Sequence, residues 1–473
     1  MSRVSRRTAL QLLAATVVGG ASTAAIAQKD AAKAKPEVTK KAKTTKKAKA
    51  AVPEISFPPM LPEGKLSVTY KSDAFLSAPD TLSEGVLIAK APPTIDFAYF
   101  PGQDYEGKPW SNWGDATAVA GKYYTAIGDH LAPAGNAYVF EYDAAKKSLR
   151  KLLDLKSLLN QPEGHYSPAK FHSRVDLGSD GWLYCSTHRG SPRVTNDMYH
   201  YTGDWIVRCH PESGAAEIVA HAPVPKHCIP NGTLDPDRLI FYGGTAAGEG
   251  GDGEGVMFFA YDCKNRKLLY SGPNGPARYM ILARSTGRVY YVPGKGESPL
   301  MRFDPTTDKA PVEIPGEIGI RAATRETPQG IVYTASLGQG ADATATIYAF
   351  NTKTEKIENL GPAAAGSQQY IAAITADPTG RYLYYVPGAH GGSELDNSAV
   401  IQFDTRTRKR KVIAFLHPFY QEKYGLIPKG TYAVACDPAG DKLYITWNVS
   451  RGSRAWDCCG VTAIHIPESE RPT

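Results

Sequence analysis

Long apolar runs are scarce in this chain. Past residue 27 no stretch reaches the ~20 apolar residues that a membrane helix needs, and helical periodicity is nearly absent apart from a short stretch at 152–159. A polytopic membrane protein and a helical bundle are both excluded. Cysteine is sparse as well. The seven cysteines contain no Cys-x-x-Cys spacing, and their odd number leaves at least one outside any intrachain disulfide. Cys185 and Cys209 fall on strands expected to be neighbours and are the pair placed to bond. There is no evident serine nucleophile and no pair of carboxylates at catalytic spacing, and the Gly-His and Trp-Asp signature of WD40 repeats is missing.

Charge is present but unevenly placed. Residues 1–54 hold 12 Lys or Arg against three Asp or Glu, so the rest of the chain carries about −2 of the formal +7. The basic balance belongs to the N-terminal segment and gives no reason to expect nucleic-acid binding by the body. Arg6 and Arg7 precede the apolar run 9–27, which ends Ala25-Ile26-Ala27. This resembles a twin-arginine signal peptide over 1–27 and implies a periplasmic or secreted protein with no membrane span once matured. Residues 28–56 read as a disordered Lys/Ala-rich linker, able to contact anionic cell-surface polymers, and 57–473 as the folded domain.

The body repeats itself. Turns followed by Tyr- or Phe-rich strands recur at Gly121, Gly181, Asp237, Gly287, Gly330, Gly380 and Asp441, 43 to 61 residues apart. Between them runs a second hairpin, as in Phe140-Glu-Tyr-Asp143 and Phe259-Ala-Tyr-Asp262. Four strands per ~50 residues, seven times over, indicate an all-β, seven-bladed β-propeller, with six or eight blades as the neighbouring counts. After Val461-Thr-Ala-Ile-His-Ile466 the last repeat lacks its fourth strand. An N-terminal strand within 85–91 or 66–71 is expected to fill the gap and close the ring.

Sequence position then stands in for spatial position. The segments leading into the innermost strands hold Trp113 and Asp115, His172, His227, Arg278 with Tyr279, Arg321, Gln369 with Tyr370, and Lys429 with Tyr432. The ends of the second strands hold His130, His188 with Arg189, Thr245, Lys295, Gln339, His390 and Arg451. Five of eleven histidines, at 130, 172, 188, 227 and 390, are thus expected on one rim. Arg454, Trp456 and Asp457 lie on a loop of the same face. No cofactor is fixed by the sequence. A divalent metal is compatible with it, zinc through His227 or Cys228, while the Gly-rich 250–255 hints at calcium but lacks a calcium loop's ligand spacing.

A rim of His, Tyr and Arg favours chemistry on an anion. Arg clamps a carboxylate and stabilises the charge that grows when the adjacent carbon loses its proton, while His or Tyr moves that proton. At Phe171-His-Ser and Thr187-His-Arg the chain resembles the seven-bladed propeller polysaccharide lyases of the ulvan-lyase group. The resemblance implies β-elimination on a uronate-containing polysaccharide, with His172 and His188 as base, acid or positioning groups. Tyr279 joins them by position in the repeat, and Arg189, His227, Arg278, Lys295, Arg321 and His390 are the expected substrate-binding residues. A non-catalytic glycan- or protein-binding propeller and a lactonase-like hydrolase remain the alternatives.

Overall fold

In the computed structural model, residues 55–250, 254–276, 278–294, 299–338, 344–452 and 456–472 are described. Residues 1–54, which hold the expected signal peptide and nearly all of the expected linker, lie outside them, as do Lys295, Gln339, Arg454 and part of the 250–255 loop. Residues 52–473 form one compact unit. Seven sheets follow one another as blades one to seven, over 117–154, 170–221, 227–273, 281–314, 322–362, 374–415 and 426–465, their strands in sequential order except for early strands added to the outer sides of blades six and seven. The inner strand of blade seven contacts that of blade one, so the blades form a ring.

The repeat reflects backbone geometry. Gly121, Gly181, Gly287, Gly330 and Gly380 all stand at φ between 71° and 83°, a left-handed conformation that glycine adopts without a Cβ penalty. The Tyr-rich strands that follow supply packing. Tyr290, Tyr291, Tyr384 and Tyr385 are fully buried in clusters that join neighbouring sheets.

Ring closure follows the expected principle with a different strand. The fourth strand of blade seven is Thr94–Tyr99, which pairs antiparallel with Cys458–His465 from Tyr99 opposite Gly460 to Thr94 opposite His465. Val68–Lys71 joins the same sheet as a fifth, outer strand. Leu87–Ile88 lies elsewhere, parallel to Arg410–Phe415 on blade six. Thr94–Tyr99 wins the closing position because its buried residues Ile95 and Phe97 complete the core, whereas Leu87 is exposed.

Two further differences concern blades two and six. The first strand of blade two is two short pieces, Lys170–Phe171 and Asp176–Leu177, on either side of Ser173 and Arg174. Both pieces pair with Leu183–His188. At the break the backbone turns to its neighbours: Arg174 N–H donates to Gly232 O and Val175 N–H to Asp115 O. A helix, His417–Tyr424, links blades six and seven, begun by a proline in its first turn and ended by Gly425 at φ 67°. The short helix expected near 152–159 is Leu155–Leu159, capped by Asp154. Cys185 and Cys209 are free thiols. The register sets Cys185 opposite Val207 and Cys209 opposite Leu183, so the two cysteines are diagonal and not directly paired.

Candidate functional site in the mouth of the propeller

Side chains two residues apart along a strand point the same way, so the inner strands line the centre in layers. Trp113, His172, Arg278, Arg321 and Tyr432 line a narrow throat, with Asp115, Asn231 and Tyr279 among its walls. Two residues beyond Trp113 and His172 stand Asp115 and Arg174, joined by Nε and NH2 to one carboxylate oxygen at 3.0 and 2.9 Å. The same guanidinium donates to Ala323 O at 2.8 Å, and Tyr279 OH donates to Asp115 at 3.3 Å. Burial pushes the Asp115 carboxyl up, while Arg174 and the N–H groups of Ala116 and Val434 oppose the shift. One buried ion pair therefore touches blades one, two, four, five and seven. Two residues further, Arg325 NH2 donates to Asp176 at 2.7 Å and to Thr117 at 2.5 Å, bridging blades five, two and one.

Above this pair the mouth is aromatic and cationic. The Trp113 ring is stacked with His130 at 5.5 Å and His172 at 5.9 Å. It meets His390, Tyr432 and Trp456 at 5.5, 4.8 and 5.3 Å, and Lys170 Nζ sits 4.6 Å from its centroid. Its indole N–H donates to Ser111 Oγ, which in turn meets His130 Nε2 at 3.1 Å. His390 Nδ1 and Tyr432 OH are 2.7 Å apart. Arg321 Nε donates to Tyr370 OH at 2.7 Å, which fixes the guanidinium against Tyr370 and Tyr432.

These surroundings keep two imidazoles neutral. His130 is held well below the usual imidazole range by burial first, then by Lys170, His188 and His172. His390 is lowered by burial, then by Arg321, Lys170 and Arg278. Tyr432 is pushed well up by burial, so its hydroxyl keeps its proton.

His130, His172 and His390 come together in the mouth, Arg278 and Arg321 line it, and His188 lies behind His172. His172 and His188 are 4.9 Å apart, ring to ring, but they differ in access: His172 is half-buried at the throat, while His188 is 1% exposed behind it. Arg189 is turned into the protein, its NH1 donating to Ala247 O and Gly248 O at 2.8 and 2.7 Å. His227 is not among the throat residues and pairs through Nδ1 with Thr245 at 2.8 Å. Tyr279 is engaged by Asp115 and lies 5.2 Å from the Arg174 guanidinium. Lys295 lies outside the described residues.

Sequence reasoning missed Arg174, although stepping by two from His172 would have found it. It also missed Asp204, which precedes Trp205–Cys209 and carries no motif. Asp204 is wholly buried, accepts from Thr187 at 2.6 Å and from Tyr166 and Tyr201 at 3.3 Å, and is pushed up to about 7 by burial.

No protein-family model matches the chain, and no curated protein sequence matches it. Solved structures do. An oligogalacturonate lyase from Vibrio parahaemolyticus aligns at 10% identity and a TM-score of 0.49 over 83% of this chain and 98% of its own. An oligogalacturonate lyase in complex with manganese aligns at 9% and 0.49 over 81% and 99%. A chain of a mitotic checkpoint complex aligns at 11% and 0.48 over 79% and 94%. At such identities and scores these likenesses carry no information about activity. The chain is a seven-bladed β-propeller that has oligogalacturonate lyases among its structural neighbours.

Proposed function

We propose that this propeller takes an anionic, uronate-containing glycan into its mouth and cleaves it by β-elimination. The observation that carries this reading is the placement of half-buried His172 in one throat with Arg278 and Arg321, between the rings of Trp113 and His188. The arginines clamp the uronate carboxylate and stabilise the negative charge that develops beside it. His172 takes the proton from the carbon bearing that carboxylate. The electron pair forms the new carbon–carbon double bond as the glycosidic C–O bond breaks. The leaving oxygen then takes a proton from Tyr432, whose hydroxyl lies against His390. Under this reading the proton-donating tyrosine is Tyr432, since Tyr279 is occupied by Asp115. A hydrolase of the lactonase type would need a carboxylate in the throat, and Asp115 is held by Arg174. The twin-arginine-type leader would bring the protein to the periplasm or beyond, with the basic linker near anionic surface polymers.

The test is a screen of the full-length mature protein on anionic polysaccharides, following the ultraviolet absorbance of unsaturated uronate ends. His172→Ala is expected to slow product formation about a hundredfold or more, the usual contribution of an acid–base group. Arg321→Ala is expected to raise KM and lower kcat. If no uronate polymer yields unsaturated ends, the lyase reading fails. The aromatic pair Trp113 and Trp456 favours a glycan-binding module as the second reading, supported in that case by retained binding without turnover.

A further inference from the structure

Behind the mouth, three side chains of different chemistry converge, none of which touches substrate in the proposed reaction. His188 ends the strand Leu183–His188, Asp204 stands just before Trp205–Cys209, and Cys228 lies on His227–Asp235 of the next blade. One ligand atom from each lies within 4.8 Å of the other two. All three residues are buried, with exposures of 1%, 0% and 0%. Among the described residues no other group of three His, Cys, Asp or Glu converges in this way. We propose that His188, Asp204 and Cys228 bind a divalent transition-metal ion of the zinc class, with a fourth position left for a water.

The donor set selects the ion. A thiolate with an imidazole suits zinc or cobalt and disfavours calcium and magnesium, which take oxygen ligands. A tetrahedral ion with bonds of 2.0–2.3 Å separates its ligand atoms by roughly 3.5 Å, so a side-chain adjustment on the order of 1 Å assembles the site. The surroundings hold the carboxylate ready. Thr187 donates to Asp204 at 2.6 Å, and the Tyr166 and Tyr201 hydroxyls donate to it from 3.3 Å; such outer contacts orient a metal ligand. A Cys-His-Asp nucleophilic triad is the competing use of these residue types, but full burial leaves a substrate no approach. Of the two neighbours that the sequence offered as alternatives, the strand turns His227 to Thr245 and Cys228 to the cluster.

The site staples blade two to blade three. It also bears on the mouth, because His188 is both a ligand and the ring against His172. Bound metal would fix that ring and so the position of His172. The metal stands or falls without the lyase reading, since its test reads binding and not turnover.

The experiment strips the full-length protein with a chelator and titrates it with cobalt(II). Saturation near one ion per chain, with a near-ultraviolet thiolate-to-cobalt band that zinc abolishes, is the expected result. Cys228→Ser is expected to lose the band, and Cys263→Ser, at a buried cysteine outside the cluster, to keep it. Zinc should raise the thermal midpoint of wild type and leave that of Cys228→Ser unchanged. A stripped wild type that stays folded by circular dichroism yet gives no band overturns the proposal, as does a band that persists in Cys228→Ser. The wild-type titration decides the matter even where a variant fails to fold.

Discussion

His390 shows how one residue in the mouth is tuned. Burial and the cations Arg321, Lys170 and Arg278 lower its pKa, so the folded chain leaves it neutral where the unfolded chain takes up a proton, near pH 6.5. The native state then binds fewer protons than the unfolded one. The stability contributed by neutral His390 is fully present above the unfolded value and is lost as pH falls through about 6.5 towards the folded value. The thermal midpoint is therefore expected to drop between about pH 7 and pH 5, and to drop less steeply in His390→Asn. Equal slopes in the two proteins would show that His390 does not carry this term. The same neutrality serves the proposed chemistry. A neutral imidazole in the tautomer that carries its proton on Nδ1 donates to the Tyr432 oxygen across their 2.7 Å contact and leaves the Tyr432 proton free for the leaving oxygen.

At the scale of the strand, closure of the ring depends on a segment that the repeat pattern alone could not choose. The repeat pattern reads the last blade, ending Val461-Thr-Ala-Ile-His-Ile466, as one strand short of the others, and the sheet takes Thr94–Tyr99 as its fourth strand. The pattern did not show which early segment fills the place, because 66–71, 85–91 and 94–99 are all short and partly apolar. The choice rests on burial, with Ile95 and Phe97 at 0% and 1% exposure. The outer strand Val68–Lys71 adds Thr69 on Asp96 at 2.5 Å and the Tyr70 and Tyr424 hydroxyls 2.5 Å apart. Removal of everything before residue 73 is expected to leave a folded, less stable propeller. Removal of everything before residue 101 exposes the edge of Cys458–His465 and is expected to give insoluble or unfolded protein. Solubility and the urea midpoint of the two truncations check this, and equal stability would mean that Thr94–Tyr99 does not close the ring. Blade two was equally half-legible. The turn and the strand ending at His188 could be read, but the break at Ser173 and Arg174 could not, since its cause lies in bonds to Asp115 and Gly232 on other blades.

The whole ring is tied at its centre by Asp115 and Arg174. The sequence placed Asp115 at the channel and gave the blade count, because both follow from a period. The pairing was out of reach, because it joins residues 59 apart through contacts that also involve blades four, five and seven. A propeller without such a centre has blades held only by their neighbours, and this one has a buried charge pair that each of five blades touches. Breaking a buried pair by removing one partner strands the other charge and costs about 3–5 kcal/mol. Asp115→Ala is accordingly expected to lower ΔG of unfolding by about that amount in urea, and Arg174→Met to do less harm because it leaves a carboxyl that can take up a proton. The double variant Asp115→Leu with Arg174→Met removes both charges and should recover much of the loss. If Asp115→Ala unfolds at the wild-type midpoint, the pair is a passive filler of the channel. If the double variant is as unstable as Asp115→Ala, the deficit comes from lost packing and not from a stranded guanidinium, so the three midpoints together separate charge from shape at the point where the blades meet.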